Sequence, residues 1–112
     1  MLELNPAAVA NAASLIDRGA YDDRTSGDAR LPDPADLAAY IQYFGWDAYA
    51  RWFLAVDPDQ DERSLTRYRL PVGNLDHVSR EALQRALDEA DRYGAYDVER
   101  AVERLLYQLD ED

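Results

Sequence analysis

Apolar side chains recur at helical spacing in four stretches of this chain. Val9, Ala12, Ala13 and Ile16 follow the i, i+3, i+4, i+7 order of one helix face. Asn5-Pro6 opens that stretch with a side-chain acceptor at the N-cap and a Pro at the first helical position, and Gly19 stops it. After Asp33-Pro34 the same device recurs: Asp36 lies at the positive end of the helix dipole, and Leu37, Tyr40, Ile41 and Phe44 form the next stripe before Gly45. Leu83, Ala86, Leu87 and Ala90 mark a third helix, capped by Asp76 or Ser79 and ended by Gly94. The longest stripe, Val98, Ala101, Val102, Leu105, Leu106 and Leu109, begins near Asp97.

Residues 46–56 fit two periods. Trp46, Tyr49, Ala50 and Phe53 keep helical spacing, whereas Trp52 to Val56 is a continuous apolar run. The expectation is a short helix giving way to a strand. In Thr66-Arg67-Tyr68-Arg69-Leu70 the apolar Tyr68 and Leu70 alternate with Arg, as in a half-buried strand, and Pro71 keeps that strand short or at an edge. Pairing 52–56 with 66–71 gives a fold class of α+β, mainly helical, with four to five helices around a two-stranded antiparallel hairpin. An all-α fold is the alternative.

The whole chain, 1–112, reads as one domain. Residues 20–33 turn polar and read as an acidic surface loop. The tail 110–112, Asp-Glu-Asp, sets negative charge at the negative end of the last helix and is expected to fray. Glu99 with Glu103 and Arg100 with Arg104 place like charges at i, i+4, so packing must hold that helix.

Charge narrows the partners. Against 23 acids stand 12 basic residues, all of them Arg, for a net charge of -11. Such a surface repels phosphate backbones and anionic membranes, which disfavours direct nucleic-acid and membrane binding. An Asp-rich, Lys-free composition fits a GC-rich genome or adaptation to a salty cytoplasm. No Cys is present, so disulfides, thiolate metal sites and cysteine nucleophiles are out. The start, Met1 to Pro6, lacks a basic and apolar leader, and no run nears the ~18 apolar residues of a membrane span, so a cytoplasmic location is expected.

The central segment carries a pattern: Tyr49-x-x-Trp52-x-Leu54-x-x-Asp57, then Arg67-Tyr68-Arg69-Leu70-Pro71-Val72-Gly73-Asn74-Leu75, then Val78-Ser79-Arg80 with Ala82-Leu83 and Arg85-Ala86. It resembles a family of small uncharacterised bacterial proteins with a Trp-x-Leu-Gly strand and a Tyr-x-Phe-Pro-x-Gly-Asp-Phe turn before an amphipathic helix. Ala55 stands for the Gly, Leu70 for the Phe and Asn74 for the Asp. The resemblance covers roughly residues 35–109 and implies the order helix, strand, strand, helix, helix. It implies no activity. Leu70-Pro71-Val72 followed by Asp76-His77-Val78 also resembles turns of some phage head-associated proteins.

Candidate chemistry is sparse. Asp57, Asp59 and Asp61 offer oxygens at positions 1, 3 and 5 of a calcium loop, but Glu62 replaces the turn glycine and Tyr68 the closing Glu. His77 is the single histidine, and Ser14, Ser26, Ser64 and Ser79 lack a nucleophile-elbow context. The chain is therefore expected not to be an enzyme and to need no cofactor. The aromatic segment 40–53 holds more rings than one narrow stripe hides, and Tyr43, Trp46, Tyr49 and Trp52 are the candidate partner-binding residues. The leading expectation is a small non-enzymatic binding or accessory protein acting through a protein partner or self-association. An acidic nucleic-acid mimic and a carboxylate-based enzyme are the alternatives.

Overall fold

A computed structural model describes residues 2–23 and 31–111. A strand β1 (Glu3–Leu4) leads into helix α1 (Pro6–Asp17), then β2 (Tyr21–Asp22), α2 (Pro34–Phe44), α3 (Trp46–Ala50) and β3 (Phe53–Val56). A 3-10 turn at Leu65–Arg67 precedes β4 (Tyr68–Pro71), and β5 (Val78–Ser79), α4 (Arg80–Tyr93) and α5 (Tyr96–Glu111) follow. The fold is α+β and mainly helical.

The ambiguity at 46–56 resolves as a switch. Gly45, at φ 91°, ends α2, α3 takes the helical half of the segment, and β3 takes the apolar run. The hairpin exists in antiparallel register, with Phe53 opposite Pro71, Ala55 opposite Arg69 and Val56 opposite Tyr68, which excludes the all-α alternative. Its second strand begins at residue 68 and not 66, because the Ser64 hydroxyl accepts from the Thr66 amide and curls 65–67 into a turn. The hairpin gains a third strand: β1 pairs with the free side of β3, Glu3 opposite Val56 and Leu4 opposite Ala55.

Asn5 departs from its expected role. Its side chain makes no cap bond; its Nδ2 donates instead to the carbonyls of Ala50 (2.9 Å) and Phe53 (3.1 Å), while its amide donates to Leu54 O at 2.8 Å. It thus bolts the start of α1 to the α3–β3 junction. Ser79, not Asp76, caps α4, accepting from the Ala82 amide at 3.2 Å. Gly73 is obligatory in the turn before β5, since a Cβ there would stand 1.9 Å from the carbonyl oxygen of His77.

The structure describes parts of the two segments expected to be loose. Within the expected acidic loop 20–33, Tyr21–Asp22 forms a short parallel pairing with Val78–Ser79, and residues 24–30 lie outside the described residues. The expected frayed tail continues the helix through Glu111, and Asp112 is outside the described residues. Arg80 supplies the reason: its Nη2 donates to Asp110 at 2.6 Å and its Nε to the Asp23 carboxylate, so one guanidinium ties the start of α4 to the end of α5 and to the residue after β2. The Asp110 bond first, and Asp23 with it, hold Arg80 still more firmly in its charged form against the cost of burial.

The core runs through α1, β3, β4, α4 and α5. Leu54, Val72, Val78, Leu83, Val98 and Val102 are fully enclosed. On α1 the buried face is Ala8, Ala12, Leu15 and Ile16; of the expected stripe Ala12 and Ile16 are buried, while Val9 and Ala13 are half-buried. The buried stripe of α5 matches expectation except that Leu106 is half-buried. Leu70 and Leu75 adopt left-handed backbone (φ 63° and 71°), a strain of about 1 kcal/mol each, offset by the burial of both side chains.

Candidate docking surface on helix α2

Helix α2 differs from the others in how little of it is covered. Of its apolar stripe only Leu37 is buried; Tyr40 and Ile41 are half-buried and Phe44 is 59% exposed, so the expectation of a core-facing stripe through Phe44 is corrected. Among the described elements only α3 makes extended contact with it. On the outer face Ala35, Ala38, Ala39 and Gln42 are exposed, and Tyr43 stands 85% exposed at the end. The physical reason is distribution: alanines and aromatics surround the helix, so its apolar surface is not gathered on one face that could be covered as a whole.

The four aromatics singled out from sequence separate into two pairs. Tyr49 (2% exposed) and Trp52 (7% exposed) are core residues, so neither can meet a partner directly. Tyr43 is free and Trp46 is half-buried. The surface residue that spacing missed is Phe44: its place at i+7 from Leu37 read as interior, yet the helix ends there and the ring turns out over Tyr43, with centroids 5.1 Å apart.

The exposed rings are not loose. Phe44 packs on Tyr40 at 4.7 Å, Tyr40 reaches Tyr49 at 6.5 Å, and Tyr49 contacts Phe53 at 4.8 Å and Tyr68 edge-on at 5.6 Å. Trp46 stacks on Tyr68 and meets Tyr49 edge-on. The Trp52 indole N–H donates to the Tyr40 hydroxyl at 3.1 Å, satisfying a polar handle inside this cluster. A continuous run of rings therefore carries rigidity from the core out to Tyr43. Burial first, and Tyr68 second, push the Tyr49 phenol above its ordinary range; burial does the same to Tyr68, against the lowering influence of Arg67.

Beside the rings lies an open depression of about 710 Å³ lined by Trp46, Asp47, Glu62, Arg63, Arg67 and Tyr68, among others. Arg67 donates to Gln60 O at 2.8 Å and the Tyr68 hydroxyl to Glu62 O at 2.6 Å, so these two polar side chains hold the 57–67 connection. Within its own segment of sequence the charge of α2 is one-sided, although Arg63 and Arg67 line the depression next to Phe44 and Trp46. Between residues 31 and 50 the charges are Asp33, Asp36 and Asp47, all exposed, with no basic residue.

The other candidate residues do not assemble. Asp57 Oδ1 accepts from the Asp59 amide and Asp61 Oδ1 from the Arg63 amide, two local turns that use the carboxylates of the calcium-loop candidate. Among the described residues no three His, Cys, Asp or Glu side chains are grouped to hold a metal ion. His77 Nδ1 lies 3.4 Å from Asp76, Ser79 Oγ is committed to its cap and Ser64 Oγ to Thr66. Among the described residues no helix is long and apolar enough to cross a membrane.

In comparisons with known proteins no family model matches the chain. No curated protein and no solved structure matches it either.

Proposed function

We propose that this chain is a non-enzymatic binding protein that works through protein–protein contacts, with the outer face of α2 as its docking element. The observation that carries the reading is the 85% exposure of Tyr43 at the end of a helix whose other exposed residues are mostly apolar, on a run of rings anchored in the core. Aromatic residues held rigid at a surface lose little conformational entropy on binding and rank among the strongest contributors to interfaces. The acids Asp33, Asp36 and Asp47 border this face, so the complementary partner surface is apolar and rimmed by basic side chains.

A nucleic-acid mimic has weaker support. It calls for an unbroken stripe of carboxylates, whereas on α4 and α5 the acids are interrupted by Arg85, Arg92, Arg100 and Arg104, and Glu81 pairs with Arg85.

A photo-reactive phenylalanine at position 43, compared with one at exposed Gln84 on α4, tests the reading. Covalent adducts with a protein segment bearing Arg or Lys among apolar residues, formed from position 43 and not from 84, are expected. No adduct from position 43, or equal yields from both positions, overturns it.

A further inference from the structure

Between α1 and α5 runs an open groove of about 490 Å³, bounded by Leu4 and Val9, floored by Ala10, Ala13 and Ala101, and rimmed by Arg100 and Arg104. We infer that α2 of one copy of this chain docks in the α1–α5 groove of a second copy, joining molecules head to tail. The inference rests on the docking reading of α2 and names its partner.

Shape and charge both carry it. The small floor residues leave room between the two helices, and the turn of α1 that buries Ala8 and Ala12 leaves Val9 and Ala13 half-covered at that groove. The element without a partner is the converse, a ridge ending in the bulky Tyr43 and Phe44. Arg100 and Arg104 are one helical turn apart, exposed, and neither makes an ion pair or hydrogen bond among the described residues. Asp33 and Asp36 are also about one turn apart, exposed and unpaired among the described residues, and Asp33 makes no cap bond. Asp97, the acid at the far end of the groove, is engaged with its own helix, accepting from the Val98 amide at 2.9 Å. In a chain of net charge -11, an apolar groove bordered by two unpaired arginines is the complement that an acid-flanked apolar helix requires.

Two-fold pairing of α2 with α2 lacks that match, since each copy would bring three acids and no base from residues 31–50. The contact joins two different patches, so it closes into a ring or extends as a filament.

Sedimentation velocity of the purified chain, over roughly 10 µM to 1 mM, is the test. The wild type is expected to gain mass with concentration. Arg100→Glu with Arg104→Glu, or Asp33→Arg with Asp36→Arg, is expected to weaken association at least about tenfold by setting like charges together. An equimolar mixture of the two variants is expected to recover it, because each then meets an opposite charge on the other. Ala10→Gln, on an exposed helical position, obstructs the groove without adding charge and is also expected to weaken association, and thermal melts confirm that each variant folds. A wild type that stays monomeric at the highest concentration, or a mixture no more associated than its components, overturns the inference. If position 43 still crosslinks to a different protein, the docking reading stands without it; if position 43 forms no adduct, both fall.

Discussion

The α2–α3 arm is richer in apolar residues than the α4–α5 pair, 12 of 16 positions against 14 of 30, yet far less of it is buried. On α4 and α5 the buried apolar residues share one side, in a stripe from Ala82 to Leu109 with few exceptions, and the other side is mostly charged, with Tyr93, Tyr96 and Tyr107 exposed on it. On α2 alanines and aromatics surround the helix, so no single face owns the apolar surface and only Leu37 is buried. Segregation of polar from apolar residues determines how well a helix is covered; apolar content alone does not. The unsegregated helix is left with most of its apolar surface uncovered.

Truncation of the core separates the two regions most sharply. Leu54→Ala, at a fully enclosed position in the central strand, is expected to cost about 3–4 kcal/mol, through lost burial plus a cavity that packed neighbours cannot close. Leu37→Ala removes the same atoms, but α2 can settle or lift locally, and about 1–2 kcal/mol is expected. Denaturant melts give the two costs. Hydrogen exchange should show α2 amides speeding up in Leu37→Ala while those of α4 and α5 keep their protection. Equal costs, or loss of protection everywhere, would mean that α2 belongs to the same cooperative unit as the core.

Asn5 sits where the two regions are joined, and its chemistry can be inverted. Because its Nδ2 donates to two carbonyls, Asn5→Ala is expected to cost about 1–2 kcal/mol. Asn5→Asp should be worse, near 3 kcal/mol, since a carboxylate would face the oxygens of Ala50 and Phe53. An N-cap would behave in the opposite sense, with Asp as good as Asn. Melting temperatures at neutral pH decide between the two roles.

Much of this architecture is legible in sequence, and the failures have physical causes. The stripe on α5 and the Gly94 stop are local, set by spacing within one element. The hairpin is legible because Tyr68 and Leu70 alternate with Arg, yet its third strand is not, since Glu3–Leu4 is two residues long and is a strand only because β3 lies beside it. Asn5 read as a cap because Asn before Pro is locally sufficient for one; its true partners are 45 and 48 residues away. The left-handed backbone of Leu70 and Leu75 runs against residue preference and is imposed by tertiary packing. In the proposed docking surface, the aromatic segment is visible as a surplus of rings, but which rings stay outside depends on where α2 ends and α3 turns. Hence Tyr49 and Trp52 went inside while Phe44, unmarked by spacing, came out.

Arg80 tests whether the clamp on the core is independent of the arm. Arg80→Ala is expected to cost about 1 kcal/mol, because both carboxylate partners remain largely solvated while the guanidinium stem is mostly covered. Exchange at residues 108–111 should quicken, restoring the frayed end that three consecutive acids imply, while α2 amides stay unchanged. A tail that keeps its protection without Arg80 would remove the clamp as the reason for the helix reaching Glu111.

The smallest effect appears only in alkali, at the ring through which the arm leans on the core. Burial, with Tyr68 adding to it, raises the Tyr49 phenol above 10.0, its value in an unfolded chain. Above about pH 10 the unfolded state therefore sheds the Tyr49 proton while the folded state keeps it. The unfolded state then binds fewer protons, so stability falls as pH climbs from about 10 toward the folded value, and below that window the group contributes no pH dependence. Tyr49→Phe keeps the ring and its contacts with Phe53 and Tyr68 but has no proton to lose. It should match the wild type within about 0.5 kcal/mol at pH 7 and lose stability less steeply above pH 10, with the remaining slope supplied by Tyr68, whose phenol is also raised by burial. Urea melts at pH 7, 9, 10 and 11 measure both slopes. Identical slopes would mean that the Tyr49 hydroxyl reaches solvent in the folded protein, and the arm would then rest on the core less tightly than its ring contacts imply.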